Sequence, residues 1–184
     1  MLSATVSFDS GTLLLDFGEQ PPPEEVTPLL RYDDRVGLWR ANASEYAPVL
    51  RILYAAGISV HDSAKAYAEL PDLVLHNGFK PMPHQANALN AWLKAKGRGL
   101  VVMPTGSGKS FLAVLAILAV KRSALVIAPT IDLVQQWASS LHRFLGVEIG
   151  MIGGGSRDVR DITVSTYDSA VIMMEYIGAK FGMV

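Results

Sequence analysis

The chain is 184 residues long, half of them hydrophobic and 18% charged, so it can bury a core and is no disordered polyelectrolyte. Its net charge of −1 excludes a global basic field, and the lack of cysteine excludes disulfides and thiolate metal sites. The charge is uneven: residues 1–80 hold 6 Lys/Arg and 11 Asp/Glu (−5), residues 81–184 hold 10 and 6 (+4), so a polyanion is expected to prefer the second part.

The N-terminal stretch reads as β. Ala4–Phe8 and Thr12–Phe17 alternate and are split by the turn signal Asp9-Ser10-Gly11. Three consecutive prolines within Gln20–Glu25 predict an extended surface connection. Asp33-Asp34 marks a second turn, with a strand expected over Val36–Arg40. The period then changes. Ser44–Ala56 puts Tyr46, Val49, Leu50, Leu53 and Tyr54 on one helical face, with Gly57 as the stop. A short strand at Ile58–Val60 and a helix over Asp62–Leu70, capped by Asp62, complete a small α+β domain spanning 1–70. Pro71, Asn77-Gly78 and Pro81 break the pattern, which makes 71–82 a linker.

From Pro83 strands and helices alternate. Helices are expected over Pro83–Lys96, Lys109–Lys121, Ile131–Phe144 and Asp168–Tyr176. Strands are expected over Gly99–Met103, Ala124–Ala128, Val147–Met151 and Asp161–Ser165. That order predicts an α/β domain over 83–184 with a parallel sheet covered on both faces. The most apolar run, Phe111–Val120, is about half the ~20 residues that span a bilayer and reads as a buried helix. Met1–Gly11 lacks the charged and apolar regions of a signal peptide.

The segment Met103-Pro104-Thr105-Gly106-Ser107-Gly108-Lys109-Ser110 carries the clearest chemistry. It follows an expected strand and opens an expected helix, the setting of a phosphate-binding loop. Gly106 and Gly108 allow positive φ, so successive N–H groups can line one concavity at the positive end of the helix. Lys109 is placed to reach β- and γ-phosphates and Ser110 to ligate Mg²⁺ through ATP. The pattern departs from G-x-x-x-x-G-K-[ST] in one place: Met103 stands at the first glycine.

The neighbours narrow the reading. Gln85 opens the helix before the loop, and its amide can donate and accept at once, as an adenine edge requires. Taken alone it also reads as a surface or capping residue. Ala128-Pro129-Thr130, Gly153-Gly154-Gly155 and Thr163-Val164-Ser165-Thr166-Tyr167 follow successive strand ends, where open α/β sheets bind ligands. Such small polar loops suit nucleic-acid phosphates. Trp92 and Trp137 fall in amphipathic helices and read as core; Trp39 reads as half-buried in a strand.

Gln85, P-T-G-S-G-K-S, A-P-T-x-x-L-x-x-Q, the three glycines and T-V-S-T-Y-D-S-A, in this order, resemble superfamily-two helicases, most closely the archaeal and bacterial XPB helicases. The resemblance covers about residues 79–184. Residues 29–70 match that family's small damage-recognition domain more weakly. It implies a RecA-like first helicase domain behind a damage-recognition-like domain, in an ATP-driven 3′ to 5′ DNA translocase acting in repair or transcription. By that resemblance Gln85 reads adenine, and Thr105, Gly106, Ser107, Gly108, Lys109 and Ser110 hold ATP and Mg²⁺. Pro129, Thr130, Gly153, Gly154, Ser165, Thr166 and Tyr167 line one DNA strand. Expected partners are DNA, ATP, the family's second helicase domain and a repair nuclease or transcription partner, with no membrane, in prokaryotic cytoplasm beside the nucleoid.

Departures are visible too. Met82 stands where the family has Arg, and His84 where it has an aromatic neighbour. The acidic pair of motif II has no counterpart in the chain, so the domain is expected to be truncated before that motif, to bind nucleotide and not to hydrolyse it alone. Two other readings stay open: a different P-loop nucleotide-binding enzyme, and a nonenzymatic DNA-binding or regulatory module.

Overall fold

The computed structural model describes residues 3–76 and 78–184; Asn77, one of the breakers named above, lies outside them. They form two compact units. The first comprises residues up to Ala66 together with Ile172–Lys180, the second Tyr67–Val171 with Phe181–Val184.

The first unit is a five-stranded sheet in the order β3-β4-β2-β1-β5. Strands β1 (Ser3–Asp9) and β2 (Thr12–Asp16) form a hairpin whose turn residues Ser10 and Gly11 both have positive φ, 48° and 81°. This is the turn geometry that matches strand twist. Strands β3 (Arg31–Asp33) and β4 (Leu38–Asn42) extend the sheet antiparallel beyond β2. Helix α1 (Tyr46–Ala55) then crosses over to β5 (Ser59–Asp62), which pairs parallel with β1. Val49, Leu50 and Leu53 of α1 are buried in one cluster with Val6, Leu13, Leu15 and Ala41 of the sheet.

Two polar clusters fasten this unit. Arg40 bonds both Asp9 and Asp33, and Arg35 also grips Asp33, which ties the β3–β4 hairpin to the β1–β2 turn. The Arg35 and Arg40 guanidiniums hold the Asp33 carboxyl well below the usual carboxylate range. The Tyr46 hydroxyl donates to Asp62, joining α1 to β5. Burial, reinforced by that bond, pushes the Tyr46 phenol up to about 12. The helix expected over Asp62–Leu70 does not form. Asp62 instead ends β5 and accepts the Ala64 N–H, and Ser63 donates its N–H to the Val6 carbonyl. The local side-chain bond competes with the helix it was expected to cap.

The second unit is a sheet in the order β6-β9-β7-β8 with α2, α3 and α4. Strands β6 (Ala124–Ala128), β7 (Gly150–Gly153) and β9 (Ile162–Thr166) run parallel; β8 (Ser156–Asp158) turns back against β7. Helix α2 covers Pro83–Lys94, α3 Lys109–Val120 and α4 Ile131–Leu145; α5 (Tyr167–Ile177) follows β9. Thr130 caps α4, its hydroxyl accepting the Leu133 N–H, and Gly146 ends that helix at φ 66°. One core joins Val114 and Ile117 of α3, Val134, Leu141 and Phe144 of α4, and Ile162 and Val164 of β9.

Two further findings differ from the sequence reading. Gly99–Met103 is not a strand: Leu100 is 89% and Val102 83% exposed, and no sheet partner pairs with them. The described residues of 67–79 are packed rather than loose. The Leu70 N–H donates to Lys121, the Ser123 N–H to Ala68 and the His76 N–H to Phe144. Leu73 is buried in the core cluster, and Phe79 stacks edge-on against Phe144 at 4.9 Å.

Candidate nucleotide and nucleic-acid site

The phosphate-type loop is built as its residues require. Gly106 and Gly108 both sit at φ 80°, which favours glycine. Gly108 is the residue before α3, and no side chain caps that helix. The first N–H groups of α3 therefore open toward the loop with the positive end of the helix behind them. A Cβ on Gly106 would meet nothing within 4 Å, so the backbone there is open to close approach. A Cβ on Gly108 would stand 2.3 Å from the Gln85 amide nitrogen.

Gln85 is only 4% exposed, and its amide is committed. Its Oε1 accepts the Met82 N–H at 3.0 Å, while Nε2 donates to the Ser107 carbonyl at 3.1 Å and to the Gly108 carbonyl at 3.3 Å. The residue braces the loop against α2. His84 Nε2 also lies 3.1 Å from the Ser107 carbonyl. That brace was not foreseen in the sequence; the signal was a pair of hydrogen-bonding side chains at the start of the helix that precedes the loop.

Lys109 folds back over the loop, its ammonium donating to the carbonyls of Met103 (3.1 Å) and Pro104 (2.9 Å). Ser107 closes the same turn, with Oγ donating to Pro104 at 2.7 Å. Thr105 is exposed and Ser110 partly exposed at the start of α3. Among the described residues these loop bonds all run to backbone carbonyls and involve no carboxylate, and no group of three or more His, Asp or Glu is placed to hold a metal.

A second group gathers where β6, β7 and β9 end. Gly153 lies against Thr166 and Ser169; a Cβ there would stand 3.2–3.4 Å from their side chains. Gly154 lies against Ile131, where a Cβ would come within 2.9 Å. These contacts bring the Pro129-Thr130, Gly153-Gly154 and Thr166-Tyr167 turns side by side. Pro129, Thr130, Gly154 and Tyr167 are exposed. Ser165 is fully buried, and its hydroxyl donates to the Thr166 carbonyl. Thr166 Oγ1 is shared with Ser169, donating to its hydroxyl at 2.9 Å and accepting its N–H.

Trp137 packs half-buried on the core of its unit, and Trp39 on that of the first, where Tyr32 meets it edge-on at 5.3 Å. Trp92, also half-buried, lines a cavity of about 480 Å³ with Leu89, Gly99, Val101 and Leu112.

Two family models match the chain. Residues 78–183 match the family described as "Type III restriction enzyme, res subunit", and residues 6–64 match the "Xeroderma pigmentosum group B helicase damage recognition domain". The chain belongs to the XPB helicase family. Among relatives, it is 36% identical over 154 residues to "DNA 3'-5' translocase XPB2" of Sulfurisphaera tokodaii, covering 84% of this chain and 34% of that one. It is 28% identical over 151 residues to "DNA 3'-5' helicase XPB" of Mycobacterium tuberculosis, covering 78% and 27%. A solved structure described as a hypothetical ATP-dependent RNA helicase from Sulfolobus tokodaii shares 29% identity at TM-score 0.42, over 52% of this chain and 32% of its own. This XPB-family chain thus spans about a third or less of the length of these relatives. Its second unit is RecA-like α/β, as the family match requires. No helix of the described residues is long and apolar enough to cross a membrane.

Proposed function

We propose that this chain is the nucleotide-binding front part of an ATP-dependent 3′ to 5′ DNA translocase of repair or transcription. The observation that carries the reading is the loop itself: two glycines at positive φ, an uncapped helix start behind them, and Lys109 beside them. These residues fit a polyphosphate. Backbone N–H groups of Gly106 to Lys109 would face it, the Lys109 ammonium would exchange its two carbonyls for phosphate oxygens, and the Ser110 hydroxyl would ligate Mg²⁺. Bound ATP would supply the phosphoryl-transfer chemistry. Gln85 would serve adenine recognition only by releasing a bond it now makes to the loop or to Met82.

The strand-end turns carrying Pro129, Thr130, Gly154, Thr166 and Tyr167 are read as the track for one DNA strand; Gly153 and Ser165, which are buried, would support it from beneath rather than line it. The Pro129-Thr130, Gly154 and Tyr167 positions are exposed, and the basic excess of residues 81–184 favours phosphates. The damage-recognition-like unit (1–70), the 71–82 connection and the helicase domain (83–184) divide the labour. On this reading the chain holds nucleotide without turning it over; among the described residues no carboxylate bonds to the loop. The partners expected are DNA, ATP, the second helicase domain of the family and a repair nuclease or transcription factor, in a cytoplasmic, nucleoid-associated setting.

Titration of a fluorescent ATP analogue with Mg²⁺ tests this. Binding should be lost in Lys109→Ala at unchanged Tm, and neither protein should release phosphate above background. Equal affinity in the two proteins would defeat the nucleotide assignment; turnover that depends on Lys109 would defeat the expected lack of hydrolysis.

A further inference from the structure

A trans peptide is planar, with its C=O and N–H pointing in opposite directions. Whatever holds a carbonyl on one side therefore aims the next residue's N–H at the other. Three donors from the start of α2 act this way on the loop: Gln85 Nε2 on Ser107 and on Gly108, and His84 Nε2 on Ser107. The Ser107 carbonyl can only accept, so His84 carries its hydrogen on Nε2 and donates. Gln85 and His84 both reach this oxygen, which fills its two lone pairs.

We propose that His84 is a positioning residue for the phosphate loop: its bond to the Ser107 carbonyl turns the Gly108 N–H into the loop's concavity. The inference rests on the nucleotide reading of that loop. Gln85 gives the Ser107 carbonyl only one of its two amide hydrogens, the other going to Gly108, at 3.1 and 3.3 Å, so the second lone pair of the Ser107 oxygen is left for His84. Gln85 is also enclosed and bonded to Met82, so its replacement disturbs the fold. His84 is exposed, so its replacement leaves the packing intact. The charged group sharing the loop is Lys109, whose ammonium is bonded to Met103 and Pro104 rather than to the histidine.

The experiment compares the full chain with His84→Phe, which keeps an aromatic ring and removes the donor, and with His84→Gln, which restores a nitrogen at the same bond distance. Two readouts are taken. In the nucleotide-free chain, the Ser107 carbonyl carbon shift should move in His84→Phe and return toward the parent value in His84→Gln. Affinity for the fluorescent ATP analogue should fall about five-fold in His84→Phe, the value of one net hydrogen bond, and recover in His84→Gln. An unmoved carbonyl shift in His84→Phe, undiminished affinity in that variant, or a His84→Gln protein as weak as His84→Phe would each overturn the proposal. If the parent chain binds no nucleotide, or Lys109→Ala binds as well as the parent, the nucleotide reading fails instead, and the carbonyl shift still decides whether His84 holds the loop.

Discussion

Leu73→Ala separates a packed connection from a loose one. Leu73 is 9% exposed and belongs to the core cluster with Phe111 and Phe144, whereas the adjacent Val74 is 65% exposed. Truncating Leu73 removes three buried carbons, about 2.4 kcal/mol at ~0.8 kcal/mol per group. The cavity left behind brings the total into the range of about 2–5 kcal/mol seen for buried leucines, and its place at the core's edge argues for about 2–3 kcal/mol. At roughly 4–8 °C per kcal/mol for a unit of this size, the Tm of the second unit should fall by about 8–24 °C. Val74→Ala should cost under about 0.5 kcal/mol. The assay is urea and thermal unfolding followed by tryptophan fluorescence in a Trp39→Phe background. There the signal comes from Trp92 and Trp137, both in the second unit, so the two units are not averaged. If Leu73→Ala costs no more than Val74→Ala, residues 71–82 are a solvated linker and the packing argument is wrong.

Gly150→Ala would place a Cβ within 2.8 Å of the Asp158 carbonyl, the Thr163 hydroxyl and the Arg160 nitrogen, so it should destabilise the second unit by about 3 kcal/mol in urea melts. Tyr46→Phe removes the hydroxyl bonded to Asp62 and should cost about 1 kcal/mol near neutral pH. Because the folded-state value of Tyr46 is raised to about 12 from 10.0, its contribution is full below pH 10 and lost as pH rises toward 12; the alkaline fall in Tm should be shallower in Tyr46→Phe. Asp33 shifts the other way, below its ordinary 3.8 through Arg35 and Arg40, so its contribution is present above that pH and lost as pH falls. Asp33→Asn should lower Tm at pH 7 and flatten the acid limb in a pH series of melts.

What the sequence disclosed follows from how local each signal is. The Asp9-Ser10-Gly11 turn, the α1 face of Val49, Leu50 and Leu53, and the helix expected over Ile131–Phe144 depend on neighbours within a few residues, and all three stand where the patterns put them. The loop glycines were legible for the same reason, since positive φ is a local demand. The helix expected after Asp62 was lost to a non-local partner, the Val6 carbonyl, which captures Ser63. The connection misled in the opposite sense. Pro71 and Pro81 advertise a break, yet composition is silent about Leu70, Leu73, Leu75 and Phe79 finding α3 and α4. Prolines exclude helix; they do not exclude burial.

Gly99–Met103 shows the limit of periodicity most plainly. Leu100, Val101, Val102 and Met103 have the composition of a buried strand, but a strand is a relation between two segments, and apolar residues hold an extended conformation only when a ladder and a covering layer are supplied. The outer side of β6 is where such a ladder could be sought. There Met183 makes an isolated parallel bridge to Ala124, and the Leu125 N–H donates to the Met183 carbonyl. Gly99 and Val101 line one cavity with Met183 and Val184, so the two segments share a space without pairing across it. The phosphate loop is consequently held from its far side, by Gln85 and His84 of α2, rather than by a strand at its entry. Its geometry should therefore respond more to substitutions in α2 than to conservative apolar changes at Leu100 or Val102.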